Sequence, residues 1–428
     1  MHPATRDPFE PIGTPLDAAP PPDAAPPDAA VAEEPPLRLR FEAVPHDSGA
    51  LRFTALAFLP APAGDLLALD KDGELIHLRL VTDPATGAVR AERQGGVWLD
   101  EVYSYSDAGL ISVAVDPDFA RNRFIYLGFS TDRRTNVIKR YVFDPIDLEG
   151  IEATGVEILR IHAPEAPQPW HNVGSIGFTE AGEMWAIFGD KKLSDTAQDP
   201  TLPLGALLRF TPSDGAAGGY VVPDDNPFAD GSGHPAVYVK GLRSPWTAHY
   251  HDGRWFIGDV GQDTTEEVNR VLAPAENFGW PIAEGPCLAD AEACGGLVDP
   301  WVSWERGGAQ PFRREDPQAA PSNRRSVYVG LVYREGLYDA PDPYRGRWRD
   351  VITYGDTFVG FVRGARVDAE RGDGWHVGHL RYATGWAQAP DGHVYVVTLG
   401  TWPEPAEGAL APLAGIWRAV LDEPAPAP

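Results

Sequence analysis

The chain has 428 residues, with 45 glycines, 43 prolines, 13 tryptophans and a formal net charge of −26. So much glycine and proline argues against long helices, and the length fits either a few domains or one large all-β unit. The charge repels nucleic-acid phosphates and anionic membrane surfaces, which sets both aside as partners and leaves solubility or cation binding as its role.

Residues 1–10 contain no hydrophobic segment of the kind a secretory signal needs, and no apolar run is long enough to span a bilayer. Residues 15–36 repeat proline, alanine and aspartate with almost nothing to bury, so residues 1–40 read as a disordered tether. A tether of this kind favours a signal, or a lipid anchor, lost from before Met1; membrane contact is expected only through such an anchor. Residues 423–428 read as a short disordered tail.

Strand-like runs begin after the tether and recur around turns. Asp72-Gly73, Gly182, Gly253 and Asp391-Gly392 each sit between two such runs, and further strand pairs lie around residues 124–143 and 328–367. The turns are spaced by one or two units of about 65 residues, which gives about six units. This predicts an all-β, six-bladed β-propeller over residues 41–422. A pair of β-sandwiches is the competing fold, but no linker divides the stretch. Recurring aromatic residues are expected to fill the blades. Cys287 and Cys294, the only cysteines, are close enough to close a small loop, which implies an oxidising compartment.

Four short polar blocks follow one another between Trp170 and Trp280: His171-Asn172-Val173-Gly174, Gly241-Leu242-Arg243-Ser244-Pro245-Trp246, Gly258-Asp259-Val260-Gly261-Gln262 and Asn277-Phe278-Gly279-Trp280-Pro281. Each sets turn-forming residues beside a group capable of chemistry. The chain lacks the Gly-x-Ser-x-Gly elbow of serine hydrolases, the His-Glu-x-x-His pairing of zinc proteases and a glycine-rich phosphate loop.

With the block from Asp107 to Phe119, Gly189-Asp190, Ala197-Gln198-Asp199-Pro200, Asp225-Asn226-Pro227-Phe228, Glu266-Glu267 and Glu284-Gly285, this series resembles the glucose/sorbosone dehydrogenase family over residues 51–420. That family comprises six-bladed propellers, including soluble sugar dehydrogenases that use pyrroloquinoline quinone (PQQ) and Hedgehog-interacting-protein-like extracellular domains. The resemblance implies an oxidoreductase acting on an aldose or related alcohol, with PQQ as hydride acceptor and calcium assisting. In it His171 is the general base, suited by a pKa near neutrality, and Arg243 steadies the reduced quinone. Asp107 and Trp170 are placed at the substrate, and Ser244 and Arg381 at the cofactor. Gly261, Gln262, Glu266 and Glu267 supply the oxygen ligands that calcium requires.

Several positions depart from the pattern. Ser244 replaces an asparagine and Asp107 a longer Gln or Glu, while Trp170 stands where some members have an acid. PQQ is a tricarboxylate and needs cationic partners. Residues 354–363 lack the expected lysine, and Arg381 is one arginine where two are expected, with Arg363 and Arg366 as possible substitutes. The alternative is therefore a non-catalytic extracellular propeller that binds calcium and a carbohydrate or protein. Either reading places the chain in the periplasm or outside the cell, and neither fixes its oligomeric state.

Overall fold

The computed structural model describes residues 36–60, 64–288, 292–306, 315, 316, 318, 324–400 and 414–423. The predicted tether lies outside the described residues up to residue 35, as does the tail beyond residue 423. The first strand, Leu39–Val44, opens inside the stretch assigned to the tether.

The strands form six antiparallel sheets; four run in sequence order, the third branches where its third strand pairs two later ones, and the sixth takes in the first strand of the chain. Blade one runs Phe53–Phe58, Asp65–Asp70, Glu74–Thr82 and Val89–Trp98. Blade two begins at Leu110–Val115, blade three at Val173–Phe178, blade four at Pro245–His251 and blade five at Val327–Val332. Blade six takes Ala383–Gln388, Val394–Thr398 and Gly415–Leu421, then borrows Leu39–Val44, which pairs Leu39 with Leu421 and Val44 with Ile416. This closure of the ring by both ends of the domain gives one propeller and rules out two sandwiches.

The apolar core is divided in the same way. Six buried clusters each combine residues of two neighbouring blades; one joins Ile111, Tyr126 and Ile138 to Ile176, Ala186 and Leu208. Strands with both faces covered read as apolar runs, as in Asp65–Asp70 and Met184–Phe188, which are buried throughout. Hydroxyls on the inner strands bond the next blade: Thr54 Oγ1 donates to Leu110 O at 2.7 Å, the Val329 amide donates to Thr247 Oγ1 at 2.6 Å, and Thr384 Oγ1 donates to Phe53 O at 2.9 Å.

Gly182, Gly253 and Gly392 turn the first strand of blades three, four and six into the second, all with positive φ. Gly73 instead joins the second and third strands of blade one, at the opposite end of the sheet. That end carries the loops entering each inner strand, and the polar blocks of the sequence gather there. Two blades lack the glycine hairpin: a short helix, Phe119–Asn122, joins the first strands of blade two, and residues 333–350 join those of blade five.

Candidate active site

A cavity of about 270 Å³ opens among the loops at this end, and Lys71, Asp107, His171, Ser244, Arg325 and Phe358 are among the residues that line it. Blade three contributes its central group. His171 immediately precedes the inner strand, in the left-handed region at φ 53°, where histidine is tolerated better than bulky residues. Its ring is 6% exposed and packs in front of Gly189, where a Cβ would come within 2.6 Å of the His171 Cβ.

Asp190 follows the second strand of the same blade by two residues, with no exposed surface. Its Oδ1 lies 2.5 Å from His171 Nδ1, and it also accepts from the Lys192 amide at 2.7 Å; its Oδ2 accepts from Trp280 Nε1 at 2.8 Å. A carboxylate only accepts, so Nδ1 carries the proton and Nε2 is the basic nitrogen. Burial pulls the His171 pKa below its ordinary value, against the opposing pull of Asp190. Burial pushes Asp190 up, but the hydrogen bond and charge of His171, with help from Trp280 and the Lys192 amide, hold it below the usual carboxylate range. The pair therefore rests as a neutral imidazole beside a carboxylate.

Arg243 stands close to this pair. Its carbonyl accepts from the Asp190 amide at 2.9 Å and its guanidinium lies 5.3 Å from the Trp280 ring centre. Asp259 fixes the turn: its two oxygens accept the Arg243 and Ser244 amides at 2.8 and 2.7 Å. The Arg243 side chain is 7% exposed and turns to the carbonyls of Val260 and Gly261, at 2.7 and 2.9 Å. Arg243 and His171 are thus brought together, with the guanidinium behind the Val260 wall rather than on the cavity lining.

The remaining predicted residues divide. Ser244 and Asp107 are on the cavity wall. Trp170 is 38% exposed at the rim, where it donates to Ser106 Oγ at 2.8 Å and carries the Lys192 ammonium over its ring. Arg381 lines a separate cavity with His379 and Trp417, and its Nε donates to Phe358 O from behind at 3.1 Å. Arg363 is buried inside blade five with Glu315 and the carbonyls of Asp373 and Gly374, and Arg366 donates to Arg349 O. Neither lines the cavity. Cys287 and Cys294 form a disulfide.

Two cationic residues outside the polar blocks, Lys71 and Arg325, also line the cavity. Lys71 sits in the Asp72-Gly73 turn, read there only as a hairpin; its ammonium donates to Ala108 O at 2.6 Å, and burial pulls it down to about 8. Arg325 precedes the inner strand of blade five in an arginine pair whose signal was two cations ahead of an apolar run. The sequence signal for Asp190 is the Gly189-Asp190 pair that directly follows the apolar run Met184–Phe188.

The four residues assigned to calcium do not assemble into one ligand set. The Gly261 carbonyl accepts from both Arg243 and Arg306, the latter at 2.8 Å. Glu266 is ion-paired with Arg306 and accepts the Val327 amide. Glu267 faces Asn269 and the Gly285 amide, and burial pushes its carboxyl up toward the neutral form. The Gln262 side chain is tied to Lys192 and Asp263. Among the described residues there is no group of three or more His, Cys, Asp or Glu side chains that could hold a metal. The Gly261 carbonyl and the side chains of Gln262, Glu266 and Glu267 are thus already engaged by protein groups.

Similarity to known proteins agrees with this architecture. The glucose/sorbosone dehydrogenase family model matches residues 53–312. The aldose sugar dehydrogenase YliI of Escherichia coli K12 is 28% identical, over 80% of this chain and 86% of its own. The HIPL1 protein of Arabidopsis thaliana is 26% identical over 46% of this chain, which spans only 36% of that relative. Among solved structures, the PQQ-bound aldose sugar dehydrogenase of Streptomyces coelicolor superposes with a TM-score of 0.64 at 21% identity, over 91% of this chain and all of the other. With the family model covering well over half of its length, the chain belongs to the glucose/sorbosone dehydrogenase family.

Proposed function

We propose that the chain is a PQQ-dependent oxidoreductase that oxidises an aldose or a related alcohol at the cavity between His171 and Phe358. The observation that carries this is the His171–Asp190 pair: a neutral imidazole, held by a buried carboxylate so that Nε2 is the basic nitrogen, beside a cavity sized for a small molecule. The lining fits a flat polyanion, with Trp246 and Phe358 as ring walls, Ser244 as a hydroxyl donor, and Lys71 and Arg325 as the cations for its carboxylates. Bound PQQ would supply the two-electron acceptor for the hydride leaving the substrate carbon.

The protein's own part is orientation and proton transfer. His171 Nε2 takes the proton of the hydroxyl being oxidised, and Asp190 stabilises the imidazolium that results. Trp280 and the Lys192 amide keep Asp190 from rotating away. Trp170, Lys192 and Asp107 at the rim meet the sugar. The tether and the disulfide support a periplasmic or extracellular setting.

Purified protein given PQQ is expected to retain the quinone at micromolar concentration through gel filtration and to reduce a dye with aldoses. Loss of the quinone would leave the non-catalytic carbohydrate- or protein-binding propeller, a reading favoured by the guanidiniums of Arg243 and Arg381 lying off the cavity wall. Lys71→Met and Arg325→Met should each weaken quinone binding about tenfold or more by fluorescence titration, because each removes a cation facing carboxylates. Unchanged affinity in both would discard this cradle. The pH profile follows from the His171 shift: a general base fails when protonated, so kcat/KM should fall with acidification only below pH 6.5. An acid limb well above that value would contradict a neutral, buried imidazole.

A further inference from the structure

We infer that the Arg306 guanidinium is the resident cation of the blade-four turn and stands in place of a divalent metal ion. Glu266 has no exposed surface, and a carboxylate so buried stays charged only with a positive partner. Arg306 supplies it, and the same Nη1 donates to Gly261 O at 2.8 Å. Two oxygens suited to a hard cation, one carbonyl and one carboxylate, thus converge on a single guanidinium.

Other groups of the turn are engaged as well. Glu284 Oε1 accepts the amides of Gln262, Asp263, Thr264 and Thr265 at 2.7, 2.9, 2.9 and 3.1 Å. Arg243 takes Val260 O and shares Gly261 O. The second oxygen of Glu266 accepts the Val327 amide at 2.8 Å, which ties the turn to the inner strand of blade five. Arg306 is itself pinned, since its amide donates to Thr264 O at 2.8 Å directly after the strand Val302–Glu305. A guanidinium held in this way is charged at every working pH and cannot be stripped by a chelator. The turn then keeps its shape, and the Val260 wall its position, without calcium.

The inference concerns the turn alone and is tested on protein without quinone, so it stands or falls separately from the proposed oxidation. Wild-type protein is expected to melt at the same temperature in EGTA and in millimolar calcium. Arg306→Ala should melt lower in EGTA and recover in calcium, because the vacated oxygens now accept the ion, and the recovery should vanish when Glu266→Gln is added. If Arg306→Ala does not fold, Arg306→Gln gives the same comparison. A calcium-induced rise in the wild-type melting temperature that Glu266→Gln removes would overturn the inference. So would folded Arg306 variants that ignore calcium. The wild-type comparison decides alone if neither variant folds.

Discussion

His171→Asn is expected to lower turnover of quinone-loaded protein by about 10²–10⁴-fold, the range that a positioned general base contributes. Asparagine is chosen because it accepts the left-handed backbone at φ 53°, which alanine tolerates poorly. The variant should melt close to the parent, since the side chain faces a cavity on one side and leaves the blade clusters untouched. Quinone affinity should change little, because the cations assigned to the carboxylates are elsewhere. Steady-state dye reduction, with melting and quinone titration alongside, checks all three. Parental turnover in the folded variant would remove His171 from the chemistry.

Asp190→Asn is expected to cost a similar factor in kcat with a small change in KM. The carboxylate only accepts, so it forces the proton of the neutral ring onto Nδ1. An amide can offer its NH₂ to Nδ1 instead, which moves the ring proton to Nε2 and blocks the base. Loss of the Asp190 charge also removes one of the two influences that raise the imidazole pKa. The residual activity should therefore keep its acid limb at a lower pH than the parent, a change that a purely structural defect would not produce. Asp190→Ala goes further, leaving Trp280 Nε1 and His171 Nδ1 without partners. Each buried unpaired donor costs about 1–3 kcal/mol, so this variant should also melt lower.

The fold was legible because a propeller repeats one simple pattern. Apolar runs flanking Gly182, Gly253 and Gly392 mark equivalent hairpins in three blades, and period and length supply the rest. Gly73 entered the same count although it belongs to the other end of its sheet. The number of blades survived because each blade holds turns at both ends, so a turn of either kind marks one unit. In blades two and five a helical turn and a long loop replace the glycine, so only the apolar runs at 124–143 and 328–367 mark these blades in the sequence. Closure by Leu39–Val44 was also out of reach, since the pairing joins residues nearly the whole chain apart.

The site was legible in its groups and less so in their contacts. The blocks at His171, Arg243 and Gly261 do meet at one end, because each directly precedes an inner strand or follows a second strand, and those positions share an end of every blade. Where a side chain turns is decided by partners from other blades. Gly261 offers a carbonyl as expected, but Arg306, from beyond the fourth strand, reaches it. Glu267 follows Glu266 by one residue, and strand alternation sends the two carboxylates to opposite faces, one to Arg306 and the other to Asn269. Lys71 and Arg325 escape notice for the same reason: they come to the cavity lining from blades one and five, across a ring that spacing along the chain does not describe.

The central claim is that the cavity beside the His171–Asp190 pair is where a quinone and a sugar meet. A crystal structure of the protein soaked with PQQ and a sugar analogue that cannot be oxidised tests it most directly. The account predicts the quinone among Lys71, Ser244, Trp246, Arg325 and Phe358, with the sugar hydroxyl at hydrogen-bond distance from His171 Nε2. A quinone bound elsewhere on the propeller, or one in this cavity with the sugar remote from His171, would contradict it.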